Sequence, residues 1–174
     1  MDNVVELNDQ EVNIEHIETD ENYSQFLSFV LANEEYCVDI LCVEEIRCWE
    51  EPTLVPNSPE EVKGVINLRG KIVPIIDLRI KFGVGEVIYS PTVVVIILKT
   101  PFEQRNRMAG IVVDAVSEVT NIFDDSIGAC PDNGGDNVSN YMSGIASIRE
   151  KVVSIVDVEK LLYIEPHIKE KEIV

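Results

Sequence analysis

GVINLRGKIVPIIDLRIKF, residues 64–82, and GIASIREKVVSIVDVEKLL, residues 144–162, are two copies of one pattern. Aligned, they share Gly64/Gly144, Arg69/Arg149, Lys71/Lys151, Val73/Val153, Ile75/Ile155 and Asp77/Asp157. Most of the other pairs exchange one apolar residue for another. Each copy reads as a strand, a tight turn, a second strand and a helical turn capped by Asp. In the first copy Gly70 supplies the positive φ that a two-residue hairpin turn needs. Upstream, Val43-Glu44-Glu45-Ile46 is echoed by Val116-Ser117-Glu118-Val119. The offset differs slightly from that of the main repeat, as a change in loop length produces. A duplication of this size within 174 residues predicts two similar small β units packed face to face. Neither unit alone would bury much surface.

The rest of the chain agrees with a β reading. Apolar runs at 26–31, 36–40, 64–68, 72–76, 93–98, 109–113, 141–148 and 152–156 are short and separated by turn residues, the pattern of an all-β barrel or sandwich. The interior is supplied by 25 Val and 21 Ile against 10 Leu and 5 Ala, side chains that suit pleated surfaces better than helices. Helices are expected to be brief. Ser58 as N-cap, Pro59 and Glu61 form a capping box that Gly64 ends, and Asp77 caps 78–82 ahead of Gly83.

Charge narrows the function. With 14 Lys+Arg against 32 Asp+Glu the formal net charge is −18, and no basic stripe is present. Nucleic-acid affinity comes largely from cations that displace phosphate counterions, so nucleic acid and anionic lipid are both unsuitable partners. The longest apolar run, 93–98, is far too short to span a bilayer. The opening Met1-Asp2-Asn3 lacks the basic and apolar regions of a signal peptide, so a cytoplasmic location is expected. Residues 1–22 hold eight acids and no Lys or Arg, an acidic tail expected to stay disordered. Residues 166–174 form a charged exit expected to fray, leaving 23–165 as the folded domain, with subdomains of about 23–90 and 91–165.

Chemistry-bearing motifs are thin. Cys37, Cys42, Cys48 and Cys130 contain no C-x2-C pair, and His16 and His167 lie near the two ends, so neither a metal site nor a disulfide is expected. Residues 64–71 do not form a phosphate loop. Five residues, not four, separate Gly64 from Gly70, Ile72 stands where Ser or Thr is required, and a strand pattern follows. Nucleophile–His pairs would need a terminal His to fold inward. Asp77 and Asp157 are explained by capping. The expectation is a binding module without cofactor and without catalytic residues. Arg69, Glu45, Asn67, Val43 and Ile46 are the residues that packing does not explain.

The run VKGVINLRGKIVPIIDLRIKFG resembles the signature of the CheW family of bacterial chemotaxis coupling proteins. FLSFVLANEEYCVDILCVEEIR, GIVVDAVSEV and VVSIVDVEKLL also match, so the resemblance covers about residues 23–165. It implies two SH3-like five-stranded β-barrel subdomains around a shared hydrophobic core, and no catalytic activity. It further implies partners: the cytoplasmic tips of methyl-accepting chemoreceptors and the histidine kinase CheA, through its regulatory domain. Carried over by position, the receptor-facing groove takes Val43, Glu45, Gly64 and Arg69, with Val93, Ala109, Val116 and Val119 as further candidates. Ile46, Asn67 and Arg69 fall on the kinase-facing side. A free-standing regulator of another kinase, or a small-ligand binder, is the alternative function class.

Overall fold

The structure is a computed structural model, and it describes residues 22–101, 106–132 and 137–163. Apart from Asn22, the expected acidic tail and the C-terminal exit lie outside these residues. The described chain forms β1 (Tyr23–Leu31), β2 (Glu34–Asp39), β3 (Val43–Cys48), β4 (Val62–Leu68) and β5 (Lys71–Asp77). There follow α1 (Leu78–Phe82), β6 (Val94–Lys99), β7 (Met108–Val113), β8 (Ala115–Phe123), β9 (Met142–Ile148), β10 (Lys151–Val156) and α2 (Val158–Leu161). These strands make two five-stranded sheets, in the orders β3-β6-β7-β5-β4 and β8-β1-β2-β10-β9.

The mostly-β expectation holds, with two five-stranded units. A division near residue 90 does not follow the sheets and is corrected. β1 and β2 belong with β8–β10, whereas β6 and β7 belong with β3–β5. The second unit is a circular permutation of the first. β8, β9, β10 and α2 follow one another as β3, β4, β5 and α1 do, but the strands equivalent to β6 and β7 are β1 and β2, brought in from the N-terminal side. The parallel pairings fix the equivalence. Ile75 lies opposite Gly110 in β5–β7, and its counterpart Ile155 lies opposite Cys37 in β10–β2. A parallel neighbour cannot be reached by a hairpin. The first unit reaches it through α1 and β6, the second by importing the N-terminal hairpin.

Three apolar clusters hold this together. Phe26, Cys37, Ile122, Ala146, Ile148, Val153 and Ile155 fill the second unit, and Leu68, Val73, Ile75, Val93, Val95, Ile97 and Val112 fill the first. The largest cluster joins Leu27, Phe29, Leu31, Tyr36 and Val38 of one sheet to Ile76, Ile96, Leu98, Ile111 and Val113 of the other and to Leu78 and Phe82 of α1. Alternation explains the division of labour. On β6, Val95 and Ile97 point into their own unit while Ile96 and Leu98 point into the shared core. A strand covered on both faces needs the unbroken apolar run seen in its sequence.

Asp77 caps α1 by accepting from the Arg79 N–H at 3.0 Å, and Gly83 ends it in the left-handed region at φ 69°. Asp157 caps α2 by accepting from the Lys160 N–H at 3.0 Å. The helix expected after Ser58 does not form. Ser58 Oγ donates to the Val55 carbonyl at 2.9 Å, the Val62 N–H donates to Pro59 at 3.0 Å, and β4 begins at Val62 opposite Ile76. A segment this short gains too few hydrogen bonds to repay nucleation, so strand pairing wins. Two strands were not among the expected runs: β3 and β8. Both are edge strands whose exposed positions mix polar and apolar residues.

Candidate interaction face

The tip of the β4–β5 hairpin is a two-residue turn with both central residues at positive φ, Arg69 at 49° and Gly70 at 85°. That is the mirror-image turn whose twist matches a hairpin. Asn67 Oδ1 accepts the Gly70 N–H at 2.8 Å and locks the turn. The β9–β10 tip repeats it with Arg149 at 48° and Glu150 at 64°. A left-handed conformation is disfavoured for residues with a Cβ by about 1–2 kcal/mol. Arg69 and both residues of the second tip therefore sit under local strain.

Each strained Arg reaches the opposite edge of its own sheet. Arg69 Nη2 donates to Glu45 Oε2 at 2.8 Å, and Arg149 Nη2 donates to Glu118 Oε2 at 2.7 Å. Glu45 stands on β3 and Glu118 on β8, the edge strands facing β4 and β9 across the open side of each sheet. Both acids stand at a register shift of their edge strand. In β3–β6 the shift lies between Val43 and Glu45, and in β8–β1 it lies between Val116 and Val119. A bulge at an edge re-aims a side chain in this manner. Arg69 keeps 73% of its side-chain surface exposed against 22% for Glu45, so the guanidinium is presented outward while paired. Beside it, Lys99 donates to Glu44 at 2.8 Å, and that bond holds the Glu44 carboxyl below its usual range.

The candidate residues divide by burial. Ile46 and Val119 occupy equivalent positions and are both about half exposed, at 48% and 49%. Val43 and Val116 are half-buried against the shared core. Val93 and Ala109 do not present surface. They are 3% and 2% exposed, because the former belongs to the first unit's cluster and the latter to the shared core. Gly64 is buried at φ 145°, and a Cβ there would run into the Thr53 carbonyl, which accepts from the Val65 N–H at 2.8 Å. Gly64 and Asn67 thus shape the hairpin that carries Arg69. The structure unites Val43, Glu45, Ile46 and Arg69 on one unit and sets Val116 and Val119 on the other. A cleft of about 500 Å³ includes Glu118, Val119, Phe123 and Arg149, and another, of about 620 Å³, includes Leu31, Ala32, Arg79, Val93 and Asp114.

Sequence reasoning missed a buried ionic cluster behind the face. Arg79, 3% exposed, donates to Asp77 Oδ1 at 3.1 Å, Asp77 Oδ2 at 2.9 Å, Asp114 Oδ1 at 3.3 Å and the Ile88 carbonyl at 2.9 Å. Tyr89 Oη donates to Asp77 Oδ2 at 2.7 Å, and its ring stacks on Trp49 at 4.4 Å. Burial works against the Arg79 charge, but the Asp77 and Asp114 contacts outweigh it and hold the guanidinium above its ordinary range. Burial, aided by the bond to Asp77, pushes the Tyr89 hydroxyl up. In the sequence Asp77-Leu78-Arg79 reads only as a helix start, and nothing there joins it to Asp114.

Cys37 and Cys42 are buried, Cys48 is exposed and Cys130 is intermediate. Burial pushes the Cys37 thiol up to about 12 and the Cys42 thiol up to about 11. Neither supplies a thiolate at neutral pH.

A family model described as the CheW-like domain matches residues 25–165. The chemotaxis protein CheW of Klebsiella aerogenes is 46% identical over 138 residues, covering 79% of this chain and 81% of that protein. The chemotaxis protein CheW of Helicobacter pylori is 32% identical over 145 residues, or 83% and 85% of the two chains. Among solved structures, the scaffolding protein TtCheW from Thermoanaerobacter tengcongensis superposes with a TM-score of 0.70 at 35% identity, covering 78% of this chain and 89% of that one.

Proposed function

The chain belongs to the CheW-like domain family, and from that premise we propose that it is a non-catalytic chemotaxis scaffold coupling the cytoplasmic tips of methyl-accepting chemoreceptors to the histidine kinase CheA. The observation that carries this reading is Arg69, held in a strained conformation with its guanidinium outward and paired with Glu45, on the strand that also bears the half-exposed Ile46. Local strain is retained where the surrounding structure imposes it, and such positions cluster at binding sites. An exposed Arg fork is a residue type favoured as an interface anchor. Val43, Glu45 and Arg69, with Val116 and Val119, form the receptor side. Ile46 and Arg69 form the kinase side. Gly64 and Asn67 serve both by setting the hairpin.

Such a scaffold needs partners and no reacting group. Among the described residues no helix is long and apolar enough to cross a membrane. Recruitment to the inner face of the membrane then runs through the receptors. The test is retention of the purified chain by an immobilised chemoreceptor cytoplasmic fragment and, separately, by CheA. Retention by both is expected, and retention by neither overturns the reading.

A further inference from the structure

The Arg79 cluster joins three parts of the molecule that carry or border the interaction face. Asp77 and Arg79 belong to the first unit. Asp114 is the single residue between β7 of one sheet and β8 of the other. Asp114 also reaches the second unit's N-terminal hairpin: its Oδ2 accepts the Ala32 N–H at 2.7 Å, and its own N–H donates to the Val30 carbonyl at 3.0 Å. On the other side, Tyr89 connects Asp77 to Trp49, which directly follows β3. One guanidinium is thereby tied to the root of β8, which bears Val116, Glu118 and Val119, and to the end of β3, which bears Val43, Glu45 and Ile46.

The duplication supplies an internal control. Each unit builds the same sheet order, the same bulges, the same hairpin and an Asp-capped helix. The second unit, however, places an acid, Glu159, where Arg79 stands, and so has no guanidinium there. The Arg79 fork is therefore not needed to form this unit's fold. A buried ion pair costs desolvation and is weak grounds for stability by itself, whereas fixing one arrangement among several is the better-attested use.

We propose that the Asp77–Arg79–Tyr89–Asp114 cluster is a latch fixing the two units against each other, and that Arg79 and Asp114 are thereby positioning residues for the interaction face. The part concerning partners rests on the proposed coupling function. The part concerning geometry does not.

The test uses the full chain with Cys48→Ser and Cys130→Ser, spin-labelled at Ile72→Cys and Val152→Cys. These two positions are 66% and 71% exposed, one on each unit's hairpin. Asp114→Ala deletes the link to Arg79 and to Ala32 while leaving Arg79 paired with Asp77. The interspin distance distribution is expected to broaden or shift in Asp114→Ala, and to do so less in Asp114→Asn, whose single amide oxygen can replace only one of the two accepting oxygens. In unlabelled protein, binding to the chemoreceptor fragment should weaken about tenfold in Asp114→Ala and by less in Asp114→Asn, within the range by which remote residues modulate coupling. An unchanged distance distribution in Asp114→Ala overturns the latch, whatever happens to binding. Loss of cooperative unfolding in that variant overturns it too, because the contact is then a folding requirement. If the unsubstituted chain binds neither partner, the functional reading falls while the distance measurement still decides the latch.

Discussion

Glu45 accepts from Arg69 at 2.8 Å between the two edges of one sheet, and Glu118 accepts from Arg149 at 2.7 Å in the same relation on the other. All four residues are equivalent by the repeat, and both Arg residues lie at φ near 50°. Exposed pairs of this kind stabilise by only about 0–1 kcal/mol, less than the roughly 1–2 kcal/mol of left-handed strain at the Arg itself. Folding alone does not account for keeping the geometry twice.

Arg69→Glu is therefore expected to leave thermal unfolding cooperative and within about 1 kcal/mol of the original stability. At the same time it should abolish retention by the chemoreceptor fragment and activation of the kinase. Anchor residues of this type are worth about 2 kcal/mol or more at an interface. Adding Glu45→Arg restores the pair with its polarity reversed, and should restore the hairpin without restoring binding. Circular dichroism melting and pull-down check the two halves. Unfolding of the single variant, or normal binding by it, removes Arg69 from the site.

Glu150 stands where the first copy has Gly70, at φ 64° against 85°. Glycine relieves the left-handed penalty but loses more backbone entropy on folding, so the net gain is the smaller difference. Glu150→Gly should stabilise the chain by about 0.5–1 kcal/mol in urea unfolding. Gly70→Glu should destabilise it by a similar amount. A destabilised Glu150→Gly would mean that the Glu150 side chain contributes more than its strain.

Much of this was legible in the sequence for a specific reason. The repeat shares residues that geometry requires, Gly64/Gly144 at a close backbone approach and Asp77/Asp157 at the caps, together with Arg69/Arg149 at the tips, which geometry does not require. Strand runs were readable where a strand is buried on one or both faces, as with the run through β6. β3 and β8 do not read as strands because their exposed positions, Glu44, Ile46 and Cys48 on one and Ser117, Val119, Asn121 and Phe123 on the other, mix polar and apolar residues, and a bulge interrupts the alternation of each. The permuted topology was hidden because the N-terminal hairpin shows no identity to β6 and β7 that a register could be built on. The Arg79–Asp114 contact was hidden for a different reason: it spans 35 positions and depends on tertiary placement alone.

The buried thiols give a pH dependence of definite sign. Cys37 and Cys42 ionise at about 12 and about 11 in the folded chain, above the ordinary value of 9.0. Once pH exceeds the ordinary value the unfolded chain releases these protons while the folded one keeps them, so stability falls as pH rises through this interval. Below it their contribution is constant. Each thiol adds at most about 1.4 kcal/mol of destabilisation per pH unit. Urea unfolding between about pH 8 and 10.5 should show a shallower decline in Cys37→Ala than in the original chain. At neutral pH, Ellman's reagent should modify Cys48 rapidly and Cys37 and Cys42 only on unfolding. Equal slopes together with rapid reaction of all thiols would contradict the burial.

Gly64 and Gly144 separate shape from contact within the candidate site. At Gly64 a Cβ meets the Thr53 carbonyl and the backbone stands at φ 145°, so steric overlap and strain add. At Gly144 a Cβ would lie 2.7 Å from the Gly128 carbonyl without the φ penalty. Gly64→Ala should cost about 2–4 kcal/mol and Gly144→Ala about 1–2 kcal/mol, the range for strain at special backbone positions. Both carbonyls belong to the backbone bridges 53–65 and 128–145, so relief requires moving a strand segment. Moving the 53–65 bridge displaces β4 and with it the hairpin tip at Arg69. Gly64→Ala should therefore lose partner binding, and adding Glu150→Gly in the other unit should return only about 0.5–1 kcal/mol of the lost stability and none of the binding. Chemical denaturation and pull-down on the three variants give the comparison. If Gly64→Ala keeps its full stability and still fails to bind, Gly64 meets the partner directly, and its place in the site is contact, not shape.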